Sequence, residues 1–397
     1  MRELLFLCLS LAAADFESWS LVLLKDAAQQ GAVCLDGSPA GYFFEPGWGS
    51  GADEWIIHFQ GGGWCISLED CLTRSNSSLG SSSFWEKEKD SILRWGDGGV
   101  HGYLSNQSQV NPDFYNWNKV FAVYCDGGSR NSNVEGPVAV GNRSVYFRGH
   151  HILLATLESL LAKGVSQAKR FVVGGCSAGG LTVWLHLDFI RSLVPSWVQV
   201  LGVPQCGFFM DQPNYKGQEF YTPLYKWVFE TMGMIKSPSL HEACLTKYAD
   251  DPWKCFMAQY FLPFVQTPFF AVNSFYDSWQ LQEILQLPED CYISQNCTQQ
   301  QRAAMHRMRD NLVGNLSTAP DTQSFFLYSC VSHCQFLNVD QGFTNLSVGD
   351  RTLRGALSAW LHGAAPFRGV EAKDVEPNGN PTCWPKKPKS EERPITI

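Results

Sequence analysis

Several kinds of protein are excluded by what this sequence lacks. No stretch approaches the roughly 20 consecutive apolar residues of a transmembrane helix, so we expect no stable insertion into a membrane. Basic residues are outnumbered, with 30 Lys and Arg against 38 Asp and Glu, and no basic run is interleaved with aromatic residues. The one basic cluster, Lys386-Lys387-Pro388-Lys389, lies in a proline-rich end of the chain. A nucleic-acid partner is therefore not expected.

The N-terminus has the pattern of a secretory signal peptide, which we predict at residues 1–14. Arg2 supplies a positive charge, residues 4–11 are apolar, and Ala12-Ala13-Ala14 offers a cleavage site of small residues. Six Asn-x-Ser/Thr sequons follow, more than chance would place in this length. They lie at Asn76, Asn106, Asn142, Asn296, Asn315 and Asn345. Both features predict a secreted glycoprotein.

The cysteines support the same compartment. There are fourteen, none in a C-x-x-C pair, so a zinc ribbon is not expected, and we predict neither metal nor organic cofactor. A high cysteine content is typical of oxidising compartments, and closely spaced pairs there favour local disulfides. These pairs are Cys65/Cys71, Cys244/Cys255 and Cys291/Cys297. Thirteen cysteines remain once Cys8 leaves with the signal peptide, so at least one is free or pairs with another chain.

Short apolar runs alternate with segments of helical periodicity, and this order predicts an α/β fold. The runs favour strands at 55–59, 120–124, 171–173, 198–203, 269–272 and 325–328. Helices are predicted at 151–161, 178–193 and 352–361. Strands joined through helices form a mostly parallel sheet with helices on both faces, the arrangement of the α/β-hydrolases.

We expect one domain at 15–365 with an insertion. The segment at about 206–268 is rich in aromatic residues and weak in periodicity, which predicts a helical cap over the carboxyl edge of the sheet. Residues 366–397 are rich in proline, glycine and charge. A loose tail is expected there, except where Cys383 ties it down.

A nucleophile motif lies between a predicted strand and a predicted helix. Gly175-Cys176-Ser177-Ala178-Gly179 is a G-x-S-x-G sequence, in which a sharp turn projects the serine hydroxyl above the sheet. Flanking glycines are required because larger side chains would clash there. We therefore predict that Ser177 is the nucleophile of a hydrolase.

A serine nucleophile needs a base and an acid, and in this architecture they follow it in the order Ser, Asp, His. His333 is the histidine after Ser177 that follows a predicted strand, in the small-residue loop Ser332-His333-Cys334. The other histidines lie on helices, in the cap or after the last helix: His186, His241, His306 and His362. Asp277 stands just beyond the strand at 269–272. Ser177, Asp277 and His333 are the predicted triad.

An early strand ends in three glycines, where backbone N–H groups can reach a substrate carbonyl. The sequence there is Gly61-Gly62-Gly63-Trp64. We expect an oxyanion hole formed by the N–H of Gly63 or Trp64 together with that of Ala178. Water would then release the acyl group from the serine.

Cys176 precedes the nucleophile, but elbow geometry points it toward the packed side. It is interpreted as a buried small residue or half of a disulfide, with Cys206 as a candidate partner whose connectivity the sequence leaves open.

These motifs together resemble the pectin acetylesterase family, above all its plant-type members, and more distantly the Notum carboxylesterases. The resemblance runs from about Ala32 to His362 and is carried by a series of short blocks in one order. The blocks are Val33-Cys34-Leu35-Asp36-Gly37-Ser38-Pro39, Gly61-Gly62-Gly63-Trp64-Cys65, Tyr124-Cys125-Asp126-Gly127, Gly175-Cys176-Ser177-Ala178-Gly179-Gly180-Leu181, Tyr276-Asp277-Ser278-Trp279-Gln280 and Ser332-His333-Cys334-Gln335. The resemblance implies that Ser177, Asp277 and His333 form the triad. It also implies removal of acetyl groups from acetylated pectin in a cell wall.

Two departures from the family pattern bear on the pocket. Gln60 stands where family members usually have Glu, and Gln205-Cys206-Gly207 stands where they usually have Asp-Ala-Gly. Neither position belongs to the triad. Two other substrates therefore stay open: a lipid acyl group on a protein, as for Notum, or another acetylated polysaccharide such as xylan. A secreted pseudoenzyme that only binds glycan or protein is a third reading, opposed by the intact triad.

Overall fold

A computed structural model describes residues 16–95, 99–372 and 375–383. The predicted signal peptide and the basic cluster at 386–389 lie outside these residues. In the described part of the chain, no helix is both long and apolar enough to cross a membrane.

The elements alternate as the sequence predicts from β3 onward. The strands are β1 Ser20–Leu23, β2 Gly41–Glu45, β3 Glu54–Phe59, β4 Asn118–Ala122, β5 Val138–Val140, β6 Arg143–Val145, β7 Arg170–Cys176, β8 Gln199–Gln205, β9 Phe270–Ser274, β10 Ser324–Tyr328, β11 Ser347–Val348, β12 Arg351–Thr352 and β13 Arg368–Val370. The α-helices are α1 Lys25–Ala28, α2 Leu68–Arg74, α3 Lys89–Trp95, α4 Gly149–Lys163, α5 Ala178–Leu193, α6 Thr222–Thr231, α7 Glu242–Lys247, α8 Ala258–Phe261, α9 Ser278–Glu283, α10 Glu289–Ser294, α11 Gln299–Ser317, α12 Asp340–Asn345 and α13 Leu353–Leu361.

Nine strands form one mostly parallel sheet in the order β1-β2-β4-β3-β7-β8-β9-β10-β13. Only β1 with β2 and β2 with β4 pair antiparallel, at one edge. From β4 to β13 the neighbouring strands run parallel, so their carboxyl ends meet along one edge. Ligands of open parallel sheets bind beyond that edge, which places the candidate site there.

The central strands are apolar without alternation because both faces are covered. Every residue of β3 is buried, and so is every residue of β4. Successive side chains of a strand point to opposite faces. Phe171 and Val173 accordingly pack into one core, while Val172 packs into the other. This is the α/β-hydrolase-like class predicted from the sequence.

The segment predicted as a cap contains α6, α7 and α8, with a disulfide between Cys244 and Cys255. Three of its aromatic side chains pack on Trp64, which follows β3 at the carboxyl edge. The insertion therefore covers the strand ends at the point where the triad is predicted.

The sequence predicts a loose segment at 366–397 except where Cys383 ties it down; among its described residues, which end at 383, a strand also holds it to the sheet. β13 pairs with β10 and completes the sheet. Cys383 forms a disulfide with Cys330, and the Glu371 carboxylate accepts a hydrogen bond from the Ser329 N–H at 2.6 Å. The sequence does not predict β13, because a three-residue edge strand is too short to show periodicity and the segment around it is rich in proline, glycine and charged residues.

Six disulfides are formed between cysteines of the described residues, and the three predicted local pairs are among them. The others are Cys34–Cys125, Cys176–Cys334 and Cys330–Cys383. The candidate pairing of Cys176 with Cys206 is wrong, because Cys206 is the free, buried thiol of the described chain. The odd count of thirteen predicted such a thiol.

Candidate active site

Ser177 occupies the turn between β7 and α5, as the motif predicts. Its φ of 60° and ψ of −129° are unusual for a residue with a side chain, and such strain is typical of a nucleophile elbow. Its N–H donates to the carbonyl of Gln205 at 3.0 Å, which ties the turn to the end of β8. The serine is only 3% exposed.

The glycines of the motif are required by close backbone approach. A Cβ at Gly179 would lie 1.9 Å from the Phe59 carbonyl oxygen, and one at Gly175 would lie 2.4 Å from that of Gly179. A Cβ at Gly180 would lie 2.3 Å from the Gln205 carbonyl oxygen. Because glycine has no Cβ atom, the start of α5 can pack directly on the ends of β3 and β8.

Asp277 and His333 come together at the carboxyl ends of β9 and β10. His333 Nδ1 donates to Asp277 Oδ2 at 2.8 Å. The second carboxylate oxygen, Oδ1, accepts the N–H of Gln280 at 3.1 Å and caps α9. Asp277 is completely buried. Its interactions fix the imidazole so that Nε2 is left as the basic nitrogen.

The charge environment favours the protonated imidazole. Burial by itself lowers the pKa of His333, but the Asp277 carboxylate with its hydrogen bond and, to a smaller extent, Cys206 together outweigh burial. The pKa of His333 is therefore raised well above its ordinary value. Protonated His333 cannot accept a proton, so a reaction that uses it as base loses rate as the pH falls through this raised pKa.

The structure does not join all three predicted residues by hydrogen bonds. Nε2 of His333 is buried and has no partner of hydrogen-bond geometry among the described residues. Catalytic hydrogen bonds are often long before substrate binds, so this geometry is compatible with a triad. The Asp277–His333 pair is formed; the Ser177–His333 hydrogen bond is not.

The glycine loop after β3 has the backbone that the sequence predicts. Gly62 and Gly63 have φ values of 130° and 65°, which glycine adopts readily. No acceptor within the described chain takes the N–H of Gly63 or of Trp64. Ala178 is the first residue of α5, where an N–H has no partner inside the helix. These three amides are the donors expected for an oxyanion.

Two residues to which the sequence assigned no role hold this loop. The Tyr124 hydroxyl donates to the Gly63 carbonyl at 2.9 Å, which orients the peptide unit that carries the Trp64 N–H. Ser129 donates its N–H to the same hydroxyl at 3.0 Å, and its Oγ accepts the indole N–H of Trp64 at 2.8 Å. The motif Tyr124-Cys125-Asp126-Gly127 carries part of the family resemblance, but nothing in its sequence indicates that it supports the oxyanion loop.

Aromatic rings fill the space beside the imidazole on the cap side. The Trp64 ring makes edge contacts with Phe209, Tyr225, Phe256 and Trp279. Phe209 and Trp279 in turn lie against the His333 ring, with centroids 6.5 and 6.3 Å away. The rings of Trp64, Phe209, Trp279 and His333 therefore form one packed group at the site.

The departures from the family pattern have different consequences. Gln60 accepts the N–H of Tyr124 at 3.1 Å through Oε1, so a neutral acceptor serves where family members usually have a carboxylate. Gln205 is buried, and neither atom of its side-chain amide has a partner in the described chain.

The Cys206 thiol lies close to Asp277 and His333. Its sulfur, a His333 nitrogen and an Asp277 oxygen lie within 4.8 Å of one another, the one such group of three potential metal-ligating side chains in the described chain. Burial raises the pKa of the Cys206 thiol, with a further contribution from Asp277, while His333 lowers it. A metal at this position would compete with the Asp277–His333 hydrogen bond.

The sequence matches the pectinacetylesterase family over residues 12–384. Pectin acetylesterase 7 of Arabidopsis thaliana is 34% identical over 376 residues, covering 91% of this chain and 92% of that protein. Pectin acetylesterase 11 of the same plant is 33% identical with the same coverage.

More distant similarity extends to animal proteins. The palmitoleoyl-protein carboxylesterase NOTUM of Mus musculus is 28% identical, covering 88% of this chain and 70% of that protein. The crystal structure of the Wnt deacylase Notum from Drosophila superposes with a TM-score of 0.77 at 25% identity, covering 92% of this chain and 100% of that one. With the family match over nearly its whole length, and relatives above 30% identity over nine-tenths of it, this chain belongs to the pectinacetylesterase family.

Proposed function

We propose that this protein is a secreted serine carboxylesterase that removes acetyl groups from acetylated pectin through an acyl-enzyme on Ser177. The observation that carries the proposal is the buried Asp277–His333 pair at the same sheet edge as the Ser177 elbow, in a chain of this family. Pectin is the proposed substrate because relatives that match nine-tenths of the chain are pectin acetylesterases. The coarser activity, carboxylic-ester hydrolysis, is common to both groups of relatives.

The chemistry follows from the positions of these groups. His333 Nε2 takes the proton of the Ser177 hydroxyl as its oxygen attacks the ester carbonyl carbon. Asp277 holds the imidazole by Nδ1 and stabilises its cation. The backbone N–H groups of Gly63, Trp64 and Ala178 stabilise the tetrahedral oxyanion. The imidazolium protonates the leaving sugar oxygen, and a water molecule activated by His333 then releases acetate and regenerates Ser177.

The aromatic packing favours a short acyl group. Trp64 is 5% exposed, and its ring is held by a hydrogen bond from its indole N–H to Ser129. An acetyl methyl needs little space beside Ser177 and His333. A lipid chain would have to displace Trp64, Phe209 or Trp279 from their mutual contacts.

A panel of p-nitrophenyl esters from acetate to palmitate, run beside acetylated pectin and acetylated xylan, tests this proposal. We expect the highest kcat/KM on the acetate ester and release of acetate from pectin in preference to xylan. Highest activity on long-chain esters, with none on acetylated pectin, would contradict it.

The second candidate is removal of a lipid acyl group from a protein. It is favoured by the fold similarity to Drosophila Notum, which is a Wnt deacylase. The packing of Tyr225 and Phe256 on the Trp64 ring opposes it, and the chain-length profile of the ester panel separates the two.

Secretion is part of the proposal. Six disulfides in the described chain suit an oxidising compartment, in agreement with the signal peptide predicted at 1–14 and the sequons. A pectin substrate would place the protein in a cell wall.

A further inference from the structure

A single disulfide connects the immediate neighbours of the proposed nucleophile and base. Cys176 precedes Ser177 and Cys334 follows His333, and the two cysteines are joined with their Cα atoms 5.7 Å apart. They are 158 residues apart in sequence. The covalent path from Ser177 to His333 therefore runs through two peptide bonds and one cystine.

The sheet order shows why such a connection is needed. Ser177 leaves β7 and His333 follows β10, and β8 and β9 lie between these strands. Three strand spacings separate β7 from β10 by about 14 Å, since neighbouring strands lie about 4.8 Å apart. The irregular loop after β10 must therefore reach back across two strands to bring His333 toward Ser177.

That loop is anchored on each side of His333. On the Asp277 side, Ser332 forms a parallel bridge with Asp277, and the Ser278 N–H donates to the Ser332 carbonyl at 3.3 Å. On the Ser177 side, the anchor is the disulfide through Cys334. The bridge fixes His333 relative to its acid, and the cystine fixes it relative to its nucleophile.

The backbone at the junction is unusual at three positions, directly after β7, directly after β8 and in the loop after β10. Ser177, Cys206 and Cys334 have φ values of 60°, 46° and 59°, a region that side chains other than glycine rarely adopt. Cys334 donates its N–H to the Cys206 sulfur at 3.5 Å. Together with Cys176 these two residues form a buried cluster of three cysteines. Such backbone conformations persist only when the surrounding structure stabilises them, and the Cys176–Cys334 disulfide is part of that surrounding structure.

We propose that the Cys176–Cys334 disulfide is a positioning element that sets the Ser177 hydroxyl against His333 Nε2, beyond any contribution it makes to folding. This inference rests on the proposed function of the triad. Misplacing reacting groups by about 1 Å can cost about 10²-fold in rate. Loss of this cystine should lower kcat by that order and leave KM little changed, because no substrate contact is removed.

The test compares the Cys176→Ala/Cys334→Ala pair with its parent, both in a Cys206→Ala background. Cys206 is the free thiol of this cluster, and replacing it in both proteins means that no thiol beside the site can react when the cystine is removed. The matched control is Cys291→Ala/Cys297→Ala, which removes a cystine near α10. Measured quantities are kcat and KM for an aryl acetate, the labelling rate of Ser177 by a fluorophosphonate, and the melting temperature.

We expect kcat and the labelling rate to fall together, by about 10²-fold per folded molecule, only in the Cys176/Cys334 variant. An unchanged kcat per titrated active site would overturn the inference, and so would an equal loss in the Cys291/Cys297 control. The labelling rate reports the Ser177–His333 geometry without a natural substrate. If the parent enzyme is labelled at Ser177 but hydrolyses no acetyl ester, the proposed substrate is wrong. The inference about the disulfide is then decided by the labelling rates alone.

A second measurement serves if the alanine pair does not fold. The folded wild-type protein is titrated with a phosphine reductant, and the opened cystines are mapped by mass spectrometry against residual activity. Activity should follow the fraction of intact Cys176–Cys334. Full activity with that cystine quantitatively open overturns the inference.

Discussion

At the scale of single residues, Asp277 uses both carboxylate oxygens, one on the His333 imidazole and one on the start of α9. The same carboxylate therefore orients the base and raises its pKa. Trp64 has two roles in the proposed mechanism: its backbone N–H is an oxyanion donor, and its ring, packed on Trp279, is a boundary of the acyl site. Each role predicts a different effect of substitution.

Replacing Asp277 should change both the rate and its pH dependence. We expect Asp277→Asn to lower kcat by about 10³–10⁴-fold, because the amide cannot hold the imidazole in the required tautomer. The pKa of His333 should fall as well, because the largest contribution that opposes burial is then lost. The acid limb of kcat/KM should lie above pH 6.5 in the wild type and move to lower pH in the variant. A limb that does not move, or moves upward, would contradict this assignment.

Shortening Trp64 should broaden the acyl chains that are accepted. Trp64→Ala removes the ring that four other aromatic residues contact, two of which also pack near His333. We expect kcat/KM for butyrate and octanoate esters to rise relative to acetate, at a stability cost of about 3–5 kcal/mol. Trp85→Ala, which removes a buried tryptophan from the other core, is the matched control and should leave the chain-length profile unchanged. Equal profiles for both variants would remove Trp64 from the acyl site.

At the scale of elements, the site is assembled from the ends of neighbouring parallel strands. The elbow motif predicts β7 and α5 well because each carries its own signal: an apolar run, two glycines and a helical stripe. The predicted helix 178–193 is confirmed to the residue. The sequence does not predict β1, β2 or β13, because strands of three to five residues at or next to a sheet edge lack a clear pattern.

The disulfide at the site could have been inferred from the predicted triad. Cys176 and Cys334 stand next to two of its residues, so a triad of Ser177 and His333 implies that these cysteines are close. Cys206 is the nearer candidate along the chain because it follows the next strand, whereas the long His333 loop brings the other cysteine to Cys176. The hydrogen bond between Tyr124 and Gly63 joins two segments that are distant in sequence, and no pattern in either segment predicts it.

The last strand should be necessary for the catalytic loop. β13 and the residues after it hold the start of the His333 loop through Glu371 to Ser329, Asn378 to Val331 and the Cys330–Cys383 disulfide. Truncation after 365 should therefore lower the melting temperature and the activity together. Truncation after 383 keeps every described contact and is the control. A fully active protein ending at 365 would show that this segment is dispensable.

At the scale of the whole molecule, the sequons lie mostly at accessible positions. Five of the sequon asparagines, Asn76, Asn106, Asn142, Asn296 and Asn345, are exposed, and Asn315 is half-buried. Exposed sequons are accessible to glycosylation in a secretory pathway. We expect protein secreted from eukaryotic cells to lose mass on treatment with peptide N-glycosidase, and the modified positions to include the five exposed ones. A single glycoform of unmodified mass would contradict this.

The central claim is that Ser177 becomes acylated, and trapping the acyl-enzyme tests it most directly. Wild-type protein is mixed with an acetyl ester, quenched in acid within a turnover, and digested for peptide mass spectrometry. We expect one added acetyl group on the peptide that contains Ser177, and none in the Ser177→Ala variant, which should fold normally and lose roughly 10³–10⁶-fold in kcat. An acetyl group on Cys206, or a Ser177→Ala variant that keeps a substantial share of wild-type activity, would contradict the claim.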